Sequence, residues 1–129
     1  MNVIYCDSSA IVCLLLKEGT HTTYRQHLKK ADEIISSNLI EAEILAVAAR
    51  EKIDLSQAAL FIEPITMITP DRSLALEYQQ IFKIDYCRGA DAYHLACALY
   101  LDPRGKELFF LTADQRQKKI ANKLGFQII

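Results

Sequence analysis

Glycine and proline together account for only seven of the 129 residues, too few for a fibrous repeat or a low-complexity chain. The four glycines, Gly19, Gly89, Gly105 and Gly125, form neither G-x-G-x-x-G nor G-x-x-x-x-G-K-[ST], which disfavours dinucleotide enzymes and Walker-type NTPases. H-E-x-x-H and G-x-S-x-G are also missing, and zincins and serine hydrolases are disfavoured with them. The four cysteines, Cys6, Cys13, Cys87 and Cys97, are spaced by 7, 74 and 10 positions without a C-x-x-C pair. They read as reduced, buried thiols of a cytoplasmic protein. The longest apolar run, residues 10–16, has seven members, against roughly 20 for a membrane helix, so no membrane association is expected. No positively charged segment precedes Val3, and no secretory leader is expected either. An excess of charge of one sign is lacking too: 15 Lys and Arg face 16 Asp and Glu, a net charge of -1. A polyanion would have to be held by a local patch or by a metal ion.

What is present is a high apolar content, 51%, enough for residues 1–129 to form a single domain with one core. Brief apolar runs at 3–6, 34–35, 65–68, 108–111 and 126–129 read as strands buried in a sheet. Helical patterns fall between them, at 10–17, 21–31, 38–52, 55–62, 72–82 and 90–101, with a last helix from Asp114 that Gly125 closes. This alternation predicts an α/β fold: a mostly parallel sheet of about five short strands with helices on both faces. Ligand sites in such sheets lie beyond the carboxyl ends of the strands. Acids occur at those positions.

Asp7 directly follows the first strand, and Asp114 follows the run 108–111. Each also suits a helix N-cap, so either acid alone is ambiguous. Asp91 falls in the first turn of its helix, where the macrodipole favours a carboxylate whatever its role. Glu43 has Leu39, Ile40, Ala46 and Val47 as its neighbours at three and four residues, and a carboxylate on an apolar stripe needs a partner. Arg50 could supply an ion pair, and Glu41, beside Asn38, Leu45 and Ala48, is a rival; periodicity does not choose between the two glutamates. Carboxylates gathered at the strand ends repel one another unless a cation fills the gap. Mg²⁺, a hard ion that takes oxygen ligands and keeps several waters, suits such a set and would serve phosphoryl transfer.

The hydrophobic strand before Asp7-Ser8-Ser9-Ala10, Ser37-Asn38-Leu39 leading to Glu43-Ile44-Leu45, Arg88-Gly89-Ala90-Asp91-Ala92-Tyr93-His94-Leu95-Ala96, and Leu111-Thr112-Ala113-Asp114 together resemble the PIN domain. Within that family, length and pattern look most like the VapC toxins of toxin-antitoxin pairs. The resemblance implies a three-layer PIN-like fold and a Mg²⁺- or Mn²⁺-dependent endoribonuclease with Asp7, Glu43, Asp91 and Asp114 as catalytic and metal-holding acids. Its register favours Glu43 over Glu41. It also implies in-line attack of water on phosphorus with a 5′-phosphate product, supporting roles for Ser8 and Thr112, a homodimer, and a small antitoxin whose C-terminal segment covers the pocket.

Arg88, three residues before Asp91, either steers a phosphate or pairs with Asp91. His94 shares a helix face with Asp91; general-acid work is conceivable, while a packed histidine hydrogen-bonded near the site is the plainer reading. His21 and His27 have no metal-ligand spacing. Arg116, Lys118, Lys119 and Lys123 follow Asp114 and offer either a phosphate-binding patch or a solvated helix face. With the four acids neutralised by metal, 15 basic residues face 12 acids, a balance of +3. Tyr93 and Tyr100 read as core or dimer contacts. Two rivals to the nuclease are a catalytically silent module that binds RNA or protein, and a phosphatase or DNA nuclease using the same pocket.

Overall fold

The β-rich apolar runs form strands β1 (Val3–Cys6), β2 (Glu33–Ser37), β3 (Ile65–Ile68), β4 (Leu108–Leu111) and β5 (Gln127–Ile128) in a computed structural model that describes all residues Met1–Ile129. They pair in the order β3-β2-β1-β4-β5, and every pairing is parallel. Parallel neighbours require crossovers, supplied by α1 (Ser8–Leu16), α2 (His21–Lys30), α3 (Leu39–Arg50), α4 (Leu55–Ile62), α5 (Ala75–Ile84), α6 (Gly89–Leu101) and α7 (Gln115–Lys123). The result is the expected three-layer α/β architecture.

Strand alternation divides the apolar residues between two cores. Ile4 and Cys6 pack with Ala10, Ile11, Ile40 and Ala58 beneath α1, α3 and α4, whereas Tyr5 and Phe110 face Leu95, Ile120 and Phe126 on the side of α5, α6 and α7. On that second face Tyr5 stacks on Phe110 with ring centroids 5.5 Å apart, and Phe126 follows at 5.8 Å. Such pairs add about 0.5–1.5 kcal/mol each beyond their burial.

Several boundaries move from the sequence reading. The helix expected from residue 72 starts at Ala75, because the Ser73 hydroxyl accepts from the Ala75 N–H at 3.2 Å and Arg72 is drawn onto Glu77 at 2.7 and 3.0 Å. Strand β2 runs past the expected 34–35 to Ser37; its buried serines stay in the sheet because their hydroxyls find partners, Ser36 donating to the Cys6 carbonyl at 2.6 Å. The closing strand shortens to two residues, and Phe126 fills the core instead. All four cysteines are free, but Cys13 is only half-buried. Gly105 and Gly125 both take positive φ, and a Cβ on Gly105 would come within 2.8 Å of the backbone of Gly125 and Phe126. No helix is long and apolar enough to cross a membrane.

The strand order turns back between β1 and β4. From β1 the chain leaves towards α1 on one face; from β4 it leaves towards α7 on the other. The two loops part and open a crevice at the carboxyl ends of the central strands.

Candidate active site

A cavity of about 250 Å³ occupies this crevice, lined by Asp7, Ser8, Ser9, Glu43, Arg88, Ala90, Asp91 and Asp114. Four separate stretches of chain deliver its acids. Asp7 ends β1 and caps α1, accepting from the Ala10 N–H at 3.4 Å. Asp114 follows β4 and caps α7, accepting from the Gln117 N–H at 2.8 Å. Asp91 lies in the first turn of α6, and Glu43 projects from α3. Capping and lining the cavity are therefore compatible: the cap conformation is what holds each aspartate at its strand end.

Asp7 is 2% exposed and densely bonded. The Ser9 hydroxyl lies 2.8 and 2.9 Å from its two oxygens, and the Thr112 hydroxyl 2.8 Å from Oδ2. The Ala113 N–H donates to Ser9 Oγ at 2.9 Å and the Asp114 N–H to Thr112 Oγ1 at 3.1 Å. The Ser9 proton is then free to point at Asp7, and the single Thr112 proton is shared between Asp7 Oδ2 and Gln117 Oε1 at 3.1 Å. Burial nevertheless pushes the Asp7 carboxyl up to about 6, the hydrogen bonds from Ser9 and Thr112 pulling the other way. Asp91 is also held above the ordinary carboxylate range, by burial first; Arg88 opposes the rise, and repulsion from Asp114 and Glu43 adds to it.

Arg88 pairs with Asp91 at 3.5 Å while its side chain stays 78% exposed. It is thus at once the partner of Asp91 and a solvent-exposed cation on the cavity lining. Glu43 finds its partner in His94, whose Nε2 lies 2.6 Å from Oε1. Arg50, the partner considered from sequence, pairs with Glu51 instead, and Glu41 is exposed outside the cavity lining. His94 is buried and hydrogen-bonded, in line with its plainer reading. Arg116 does not line the cavity; its guanidinium lies 5.9 Å from the centroid of the Tyr86 ring. Lys119 reaches Asp85 at 4.0 Å, and Lys118 and Lys119 border a separate polar cavity with Gln115 and Asn122. Tyr93 and Tyr100 are anchored by their hydroxyls, to Asn38 and Asp71, each at 2.7 Å.

Two contributors escape a sequence reading. Both serines after Asp7 line the cavity, but it is Ser9, not Ser8, that makes the hydrogen bonds to Asp7. Gln117, fully buried, takes Thr112 Oγ1 at 3.1 Å on its Oε1 and donates from Nε2 to the Asp91 carbonyl at 3.2 Å. A signal was present for it: Gln117 shares the buried face of α7 with Ile120 and Ala121, and a polar residue there needs polar partners.

No three carboxylates, imidazoles or thiols close into a ready-made metal cage. The donor set still fits a hard divalent cation, because its walls offer carboxylate oxygens and leave room for water. Mg²⁺ takes only one or two carboxylates directly and completes its shell with water and phosphate. Mutual repulsion at Asp91 is what such a cation would relieve.

Comparisons with known proteins bear on the fold and the family. No curated protein matches the chain in sequence. The fold is similar to that in the 2.2 Å resolution structure of VapBC-1 from nontypeable Haemophilus influenzae, with a TM-score of 0.66 over 98% of this chain and 96% of that one, at 14% identity. The PIN domain family model matches residues 4–123, a span that runs from β1 to the end of α7 and contains all four cavity acids. With the family match spanning nearly the whole sheet and all seven helices, the chain belongs to the PIN domain family.

Proposed function

We propose that residues 1–129 act as one PIN unit, a Mg²⁺- or Mn²⁺-dependent endoribonuclease that hydrolyses RNA phosphodiester bonds and serves as the toxin of a toxin-antitoxin pair. The observation that carries this reading is the convergence of Asp7, Glu43, Asp91 and Asp114 on one cavity at the β1/β4 switch point. These four residues would hold the ion. A divalent cation there supplies Lewis-acid chemistry, neutralising phosphate charge and making water a better nucleophile at neutral pH.

The chain's own residues bind and orient. Ser9 and Thr112 keep the Asp7 carboxylate in one rotamer, and Gln117 ties that pair to the first turn of α6. Arg88, able to leave Asp91 for a phosphate, would draw the scissile group to the cavity mouth, with Ser8 on the wall beside it. Arg116, Lys118 and Lys123 on α7 add sequence-independent attraction for the RNA backbone. Water attacks phosphorus opposite the 3′ oxygen, the P–O3′ bond breaks, and the products carry a 5′-phosphate and a 3′-hydroxyl.

A fold shared with VapBC-1 supports the toxin assignment. An apolar groove of about 380 Å³ between α1, α2 and α4, lined by Ile11, Leu14, Leu28 and Phe61 with Arg25 and Lys29, offers a seat for an antitoxin segment with apolar and acidic side chains. Helix α1 joins groove and acid cavity, so one segment lying along it would reach both. Leu76 and Phe82 on α5 are exposed, and a homodimer would cover them. The free thiols suit the reducing cytoplasm.

The test is sequencing of RNA 5′ ends after incubating total cellular RNA with the protein in Mn²⁺ or in chelator, beside Asp91→Asn. New metal-dependent ends that vanish in the variant are expected. A folded protein that binds Mn²⁺ and produces none overturns the nuclease and leaves a binding module. Competition by single-stranded DNA or small phosphate esters detects the remaining rivals.

A further inference from the structure

We infer that His94 is a positioning residue that presents Glu43 to the cavity, and that this makes Glu43 rather than Glu41 the second acid. The metal role of Glu43 rests on the nuclease reading; the geometry does not. His94 lies on α6 one turn beyond Asp91 and is 1% exposed. Both ring nitrogens are engaged: Nε2 lies 2.6 Å from Glu43 Oε1, and Nδ1 lies 3.1 Å from the Tyr5 hydroxyl and 3.2 Å from that of Ser37. Ser37 Oγ accepts from the Leu39 N–H at 3.2 Å, which leaves its own proton free for Nδ1. Tyr5, fully buried on β1, sets a second hydroxyl beside the same nitrogen.

The Glu43 carboxylate beside Nε2 can only accept, whereas Nδ1, with a single lone pair, faces the two hydroxyls. The proton belongs on Nε2, where it donates to Glu43, and Nδ1 accepts. Glu43 Oε1 is thereby committed, while Oε2 makes no hydrogen bond or ion pair within the protein and remains for a ligand in the cavity that Glu43 lines. The arrangement parallels the partners that orient metal-ligating side chains in other sites. Its consequence is geometric. Helix α6 carries Asp91 into the cavity directly and sets Glu43 through His94, so one helix fixes the separation of two acids, anchored on β1 by Tyr5 and on β2 by Ser37. Glu41, exposed and without a contact to this imidazole, has no such support.

Mn²⁺ titration calorimetry on the wild type, His94→Ala, Glu43→Gln and the double variant tests the assignment, with circular dichroism to establish folding. His94→Ala is expected to weaken Mn²⁺ binding by about tenfold and to cost little more once Glu43 is already Gln, because both changes act through one carboxylate. His94→Gln, which keeps an N–H donor, should retain most of the affinity. Independently of metal, the imidazole ¹⁵N spectrum should show the Nε2–H tautomer and shift in Glu43→Gln but not in Glu41→Gln. If His94→Ala does not fold, His94→Gln and this spectrum decide. Additive losses, or a proton on Nδ1, overturn the role of His94 alone. A wild type that binds no Mn²⁺ overturns the nuclease reading and the metal role of Glu43 with it.

Discussion

The Thr112 hydroxyl lies 2.8 Å from Oδ2 of Asp7, across 105 residues of chain. The contact exists because β1 and β4 are neighbours in register, Cys6 opposite Leu111, so that the residue after each strand meets the residue after the other. A polar pair at the end of an apolar sheet thus ties the site to the strand pairing. The fold cannot slip there without breaking the site.

Asp7 is held at about 6 against an ordinary value of 3.8, so its folded pKa is raised and the protonated carboxyl favours the folded state. Above pH 6 the ionised, buried carboxylate costs about 3 kcal/mol; protonation relieves that cost as pH falls from about 6 towards 4. Asp7→Asn should therefore raise the melting temperature at pH 8, and the gap over wild type should narrow by pH 5. Thermal unfolding at the two pH values checks this, and a gap that widens on acidification contradicts it. The same variant should lose activity.

Thr112→Val removes a buried hydroxyl that serves Asp7, the Asp114 N–H and Gln117 together. Leaving those partners unsatisfied is expected to cost about 1–3 kcal/mol, measurable by urea denaturation. Thr112→Ser, which keeps the oxygen, should recover most of it.

Glu43→Gln and Glu41→Gln separate the two glutamates of α3. Cleavage of RNA in Mn²⁺ should fall by at least tenfold for Glu43→Gln and stay near wild type for Glu41→Gln, whose side chain is exposed away from the cavity lining. Equal losses would refute the assignment.

Arg88→Ala breaks an ion pair whose arginine is mostly in solvent, so unfolding free energy should change by no more than about 0.5 kcal/mol. The effect should appear in catalysis, as a several-fold higher KM for RNA with little change in kcat. A lower kcat at unchanged KM would place Arg88 in the transition state rather than in capture of the phosphate.

Gly105→Ala is expected to destabilise by more than about 1 kcal/mol. The residue has φ +66, and the added methyl would meet the backbone of Gly125 and Phe126 at 2.8 Å. Gly89→Ala, with open space around it and ordinary φ, is the control and should be neutral or mildly stabilising.

The amino-acid sequence by itself determined the alternation of strands and helices, because that alternation is written in local terms. Runs such as Leu108–Leu111 are apolar throughout, and Asp7 and Asp114 cap the helices that follow them; periodicity and capping act over a few residues, and each can be read without knowing the fold. For the same reason the three aspartates were legible as residues after strands or in a first helical turn. The start of helix α5 lies three residues beyond the expected one because the Ser73 hydroxyl accepts from the Ala75 N–H and Arg72 turns onto Glu77.

Only the tertiary structure decided which of these segments are neighbours. The order β3-β2-β1-β4-β5 brings Asp7 beside Thr112, and α6 crossing the sheet brings His94 to Glu43, so Arg50 is left to pair with Glu51. Contacts across 51 or 105 residues depend on chain crossovers and on which face each strand residue occupies, and no local pattern encodes them. The acids were visible one at a time; the hydroxyls, the imidazole and the amide that hold them exist as a set only once the sheet is assembled.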